Sequence, residues 1–269
     1  MRAKVLSFIV AFIVVGVAAV GILSFIRKPR LTPALRGYEV AQAYGCFACH
    51  GPGGTGGVPN PGSEEEVVPA WDGGNAMMYV NNEQEIREWI LYGHPRRPDQ
   101  KSNEDRGGAP RDHAEHDHNS DERGSPPVDM PAFEDVLSAG ELDNLVEYYK
   151  AVAAFDTPPP EARTGYRVAS RLGCFGCHGP GGQVGSKNPG SFKGYIPPWQ
   201  GKDYAELVKN DDELRDWILE GKIERFESNP MARYFTRRQI IRMPAYREVL
   251  RDGELEALAS YIEWLNRKP

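Results

Sequence analysis

The sequence matches itself when shifted by 128 residues, and no other feature restricts the fold as much, because one architecture must serve twice. "GYEVAQAYGCFACHGPGG" at 37–54 faces "GYRVASRLGCFGCHGPGG" at 165–182, and "NPGS" recurs at 60–63 and 188–191. Pro69, Trp71 and Gly73 fall on Pro197, Trp199 and Gly201, and the stretch 81–93 falls on 209–221. Roughly half the positions from 37 to 93 are identical under this shift. The register then changes. "MPAF" at 130–133 matches "MPAY" at 243–246 with an offset of 113, so the first copy carries 15 extra residues between Gly93 and Met130. A two-copy repeat of this length is a domain duplication, since solenoid periods run about 20–50 residues. A length of 269 residues leaves room for two domains. The expected division is a transmembrane anchor with short flanks over 1–30, a first domain over 31–156 and a second over 157–269, with the proline-rich "TPPPEA" at 157–162 as a stiff joint.

Each copy reads as helical. A first helix ends at the cysteine motif, and a Gly/Pro-rich loop comes next. A second helix carries Ile86, Trp89 and Ile90, matched by Leu214, Trp217 and Ile218, at the three- and four-residue spacing of an apolar stripe. Gly93 and Gly221 stand where such helices stop. The last helices are expected near 138–153 and 252–266. No convincing alternating β pattern occurs, so the fold class reads as all-α.

All four cysteines lie in the repeat, as Cys46, Cys49 and His50 and as Cys174, Cys177 and His178. Three chemistries use a C-x-x-C pair: zinc binding, dithiol exchange and covalent haem attachment. A histidine directly after the second cysteine favours haem, with two thiols bonded to the vinyl groups and the imidazole on iron. Cysteines three apart share one face of a helical turn, and the next residue brings its ring beneath the group they hold. Joint zinc binding by both pairs is disfavoured, because 124 residues separate them where a zinc site usually has about 15–20. A dithiol motif would succeed a strand in a βαβ pattern, and helical pattern precedes both motifs here. Two covalently bound haems c are therefore expected. An embedded cofactor in each of two small domains would also explain a hydrophobic content of only 40% and a mean hydropathy of −0.53. A net charge of −6 and a pI near 5.6 argue against a nucleic-acid surface.

The N-terminus carries 22 uncharged, mostly apolar residues from Val5 to Ile26. As a helix they span about 33 Å, enough for a hydrocarbon core of about 30 Å. The expectation is an uncleaved transmembrane anchor, with a cleaved signal peptide as the alternative. Arg27, Lys28, Arg30 and Arg36 after the span oppose the positive-inside rule. Haem attachment outranks that rule, because c-type cytochromes mature outside the cytoplasm. The expected location is the inner membrane, single-pass, with the haem domains on the periplasmic face.

C-x-x-C-H, then M-P-x-F/Y ahead of a C-terminal helix, resembles the class I cytochrome c family, and the resemblance covers both halves from about residue 31 onward. It implies two tandem class I domains and, as axial pairs, His50 with Met130 and His178 with Met243. A thioether favours ferrous iron and raises the reduction potential. With both axial positions filled, iron has no open site, so the expected task is single-electron transfer without catalysis. The layout is also similar to dihaem subunits of haem–copper oxidases and quinol oxidoreductases. It implies as partners a membrane redox complex (quinol oxidoreductase, oxidase or reaction centre) and a soluble carrier. A dihaem peroxidase, a thiosulfate-oxidising cytochrome and a haem or metal sensor are the alternatives. Met77, Met78 and Met231 are expected to pack in the core. Trp71 and Trp199 are expected to pack on the haem edges or donate an indole N–H to a propionate, with ordinary core tryptophan as the alternative. The first copy departs from the family pattern in a charged insert at 94–129, whose His113, His116 and His118 offer a transition-metal site or a solvated loop.

Overall fold

The computed structural model describes residues 2–74, 76–95 and 127–267, with side chains of the N-terminal helix described from residue 11. The insert's His113, His116 and His118 lie outside the described residues. The chain divides into two units, one of residues 33–157 and one combining 1–32 with 158–269.

In the 33–157 unit, α2 (Pro33–Ala43) leads into the one-turn α3 (Phe47–His50), and short α4 (Ala76–Tyr79) precedes α5 (Glu83–Tyr92). The unit closes with α6 (Ala139–Ala153), which packs across α2. Residue 37 must be glycine for that crossing, because a Cβ there would lie 1.9 Å from the Asn144 carbonyl oxygen. Helix ends are set by local chemistry. The Asn82 side chain accepts from the Glu85 N–H at the start of α5, and Gly93 closes it in the left-handed region with φ 74°. Ser138 and Glu141 form a reciprocal capping box on α6. Ile86, Ile90, Leu142, Leu145, Val146 and Tyr148 fill the core.

The second copy repeats the plan as α7 (Pro160–Arg171), α8 (Phe175–His178), α9 (Gly201–Leu207), α10 (Asp211–Glu220) and, after two added helices, α13 (Glu254–Arg267). Gly165 plays the part of Gly37, with a Cβ 1.9 Å from the Ala257 carbonyl oxygen. The added pieces are α11 (Glu224–Glu227) and α12 (Pro230–Arg238). The sequence showed no strand pattern, yet β1 (Ser186–Lys187) and β2 (Tyr195–Ile196) pair antiparallel. At the matched place in the first copy, with proline at position 59, only the bridge Pro59–Val67 remains.

The transmembrane expectation needs correction. Among the described residues, no helix is long and apolar enough to cross a membrane. The N-terminal α1 runs Arg2–Arg27.

The segment after α1 is held by the second copy. The Arg27 Nε donates to the Phe192 carbonyl at 2.9 Å, and the Arg30 N–H donates to Asp203 Oδ2 at 2.9 Å. Asp203, only 4% exposed, also takes Lys193 Nζ at 2.5 Å and the Tyr195 hydroxyl at 2.5 Å. Glu206 binds both Lys193 and Arg30. A buried carboxylate needs such partners to remain charged. Burial pulls the Asp203 carboxyl upward, but the bonds from Arg30 N–H, Lys193 and Tyr195 hold it below its ordinary value.

Candidate functional site

Each cysteine motif is built by a left-handed glycine. In the second copy Gly173, at φ 74°, ends the first helix and turns the chain so that Cys174 starts α8. The Cys174 N–H still donates to Ala169 O at 3.0 Å, and the His178 N–H donates to Cys174 O at 3.0 Å. In the first copy Gly45, Cys46 and His50 repeat this, with Cys46 N–H to Ala41 O and His50 N–H to Cys46 O, both at 3.0 Å. All four cysteines are free and partly buried. Burial raises the thiols of Cys46 and Cys174 above their ordinary range.

The histidine rings are fixed by a backbone carbonyl 19 residues on. His178 Nδ1 lies 3.0 Å from Pro197 O, and His50 Nδ1 lies 2.9 Å from Pro69 O. A carbonyl only accepts, so Nδ1 carries the proton and Nε2 keeps its lone pair for a ligand. Burial lowers both imidazoles against the opposing pull of these bonds, His178 to about 4. Each ring is therefore neutral, the form a metal requires. Trp71 and Trp199 back the rings at centroid distances of 4.9 and 5.0 Å. Both tryptophans are buried, and Gly54 and Gly182 make room for them, since a Cβ at either would lie 2.3 Å from the indole. The Tyr148 hydroxyl donates to Gly53 O at 2.9 Å and the Tyr261 hydroxyl to Gly181 O at 2.8 Å, tying the last helix to the loop behind each ring.

The methionine loops are set by two devices that also occur in both copies. The first is the glycine ending α5 or α10: a Cβ on Gly93 would meet Met130 O at 2.3 Å, and one on Gly221 would meet Met243 O at 2.2 Å. The second is the asparagine of "NPGS". Asn188 Nδ2 donates to Ile241 O at 2.9 Å while its Oδ1 accepts from the Ile241 N–H at 2.9 Å. Asn60 makes the same pair with Val128, at 2.9 and 3.1 Å. Both asparagines are buried, and each clamps the residue two positions before a methionine.

In the second copy Cys174, Cys177, His178 and Met243 line one cavity of about 420 Å³, walled by Leu214, Trp217 and Ile218 among others. Two thiols, a neutral imidazole and a thioether around an apolar space suit a covalently held haem iron. The core role expected for Met77, Met78 and Met231 does not hold, because they are 49%, 61% and 59% exposed. Met231 nevertheless reaches the cavity lining. Among the described residues, no cluster of three or more His, Cys, Asp or Glu side chains could hold a metal ion. Sequence reasoning missed the two asparagines, the proline carbonyls and the tyrosine bonds. The recurrence of "NPGS" and of P-x-W-x-G was their available signal.

Residues 160–262 match the model of a family described as cytochrome c oxidase, cbb3-type, subunit III. No curated protein and no solved structure matches the chain. The family match supports a cytochrome c family and implies covalently bound haem c and haem-based electron transfer.

Proposed function

Taking a cytochrome c domain over 160–262 as the premise, we propose that the chain carries two haems c, one per copy, and passes single electrons between redox partners. Cys174 and Cys177 would hold one haem and Cys46 and Cys49 the other, with His178 and His50 supplying Nε2. Met243 and Met130 would fill the opposite axial positions. Bound haem supplies a one-electron couple, and a thioether ligand places it at the higher-potential end. The protein's own work is to fix the ligands before and after the electron passes. The proline carbonyls hold the imidazoles, and the asparagine clamps and glycine contacts hold the methionine loops. The carrying observation is recurrence: bonds from His Nδ1 to a proline carbonyl, at 2.9 and 3.0 Å, stand in both copies beside the same motif.

The partner best suited to this reading is a respiratory oxidase complex, the setting named in the matched family's description. The domains would work on the periplasmic side, where c-type haem is attached. With His and Met both holding each iron, no site would remain open for a substrate, which favours a carrier over an enzyme. The direct test is stoichiometry. Pyridine haemochrome assay should give two haems per chain, both retained through acid–acetone extraction. Replacing Cys46 and Cys49 should remove one, and replacing Cys174 and Cys177 the other. A single haem in the unaltered chain, or an extractable one, defeats the two-site reading.

A further inference from the structure

The two copies share their inner residues but carry opposite charge outside. Residues 33–157 hold 9 basic and 23 acidic side chains, net −14, while 158–269 hold 18 basic and 15 acidic, net +3. The reversal reaches the methionine loops themselves. Asp129, just before Met130, stands where Arg242 precedes Met243, and Glu134 stands where Arg247 does. Asp129, Glu134, Arg242 and Arg247 are all exposed. From 230 to 247 the second copy has five arginines and no acidic residue.

The same stretch exposes apolar side chains and contributes part of the cavity lining. Tyr234, Ile240 and Met231 are 53%, 72% and 59% exposed, and Met231, Ile241 and Arg242 also line the cavity. The face is held in place by its own bonds. Asn229 caps α12 through Met231 N–H and Ala232 N–H, and the Ile240 N–H donates to Pro189 O at 3.1 Å. Arg242 Nη2 donates to Arg237 O at 2.8 Å, and Arg238 lies 5.3 Å from the Tyr234 ring centroid. Aromatic, methionine and arginine side chains together are what protein interfaces select.

We infer that this face of the second copy, which carries Arg237, Arg238 and Arg242, is the docking surface for an acidic redox protein whose carboxylates surround an apolar contact. The inference rests on the two-haem reading, because the face matters through the cavity lining it contributes. Charge complementarity selects the occupant. A carboxylate-rich partner is steered toward the arginines, whereas the first copy places Asp129 and Glu134 where the second has Arg242 and Arg247.

The test uses the full holoprotein and an acidic plastocyanin as probe. Binding by interferometry is expected at about 0.01 M ionic strength and should fall steeply toward about 0.15 M, as the screening length shrinks from roughly 30 to 8 Å. Amidating the probe's carboxylates should abolish it. Changing Arg237, Arg238 and Arg242 together to Glu should weaken binding by about 10-fold or more. The same charge change at Arg163, Arg167 and Lys202, elsewhere on the same unit, should weaken it far less. The pair Arg237→Glu and Arg238→Glu provides a milder variant if the triple one unfolds by circular dichroism. Equal weakening by both triple variants would show a response to net charge alone and overturn the docking face. So would absence of binding, or sedimentation of the unaltered protein as a dimer with this face taken by a second copy. Haem content is measured on every sample, so a failure of the haem reading shows as missing haem and not as altered binding.

Discussion

The copies agree most closely where side chains touch the cysteine–histidine turn and the methionine loop, and they part where the second copy grips the segment after α1. The network around buried Asp203, made with Lys193, Tyr195 and Glu206, has as its sequence counterparts Glu65, Val67, Asn75 and Met78. One copy thus replaces an ion network by mixed residues while keeping the histidine bond, the tryptophan, the glycine contact and the asparagine clamp. Divergence on this scale around an unchanged centre shows that the centre is specified locally, by short backbone bonds, and does not depend on the charged residues farther out. The second copy's network serves another purpose, the capture of residues 27–32.

Three experiments press on that comparison. The largest effect is expected from Met243→Ala and Met130→Ala. Each should open one iron, so that reduced protein gains close to one equivalent of carbon monoxide binding. The altered haem should also lose its methionine-to-iron charge-transfer band and fall in potential, while the other haem stays unchanged. If Met130→Ala leaves every haem signal in place, the copies differ at the ligand itself and the parallel between them breaks.

A smaller effect is expected from the asparagines. Asn188→Ala strips partners from both the N–H and the carbonyl of Ile241, at a cost of about 1–3 kcal/mol for each group left unsatisfied. The second unit should melt earlier, and its methionine band should weaken before its helices are lost. Asn60→Ala should do the same to the first unit through Val128. Thermal unfolding monitored at the charge-transfer band and by far-ultraviolet dichroism separates these, and coincident loss of both signals would make the asparagines simple core residues.

The smallest effect separates the copies by pH. Asp203 titrates below its ordinary value of 3.8 when folded, so its contribution is full above that value and is lost as pH falls through the folded one. Acid titration below pH 3.8 should therefore loosen the second unit in a way that Asp203→Asn removes. The first unit, with Asn75 at the matched position, should lack this component. A variant whose acid unfolding curve overlays that of the unaltered protein would exclude Asp203 as the source.

The candidate site residues were legible because their chemistry is local: C-x-x-C-H fits inside one helical turn, and the stripe of Ile86, Trp89 and Ile90 fits inside one helix. Gly93 and Gly221 could be read as stops, but their contact with the methionine backbone could not, since it joins 93 to 130 and 221 to 243. The Asn60 and Asn188 clamps reach across 68 and 53 residues to main-chain atoms. Main-chain partners leave no residue-type signature at the far end, so only the repetition of "NPGS" hinted at a role. The N-terminal span misled because apolar length reads the same whatever the helix meets, whereas Arg27 and Arg30 find protein partners in a segment more than 160 residues away.

That capture bears on the order in which the chain is made. Residues 33–157 are contiguous and can condense as soon as they emerge. The Arg30 backbone and side chain wait for Asp203 and Glu206, 173 and 176 positions later. Closing so long a loop is slow, because its entropy is lost before any contact forms. Residues 27–32, made before the first copy, are therefore among the last to settle, and one finished copy waits between an untied segment and a second copy still to be completed.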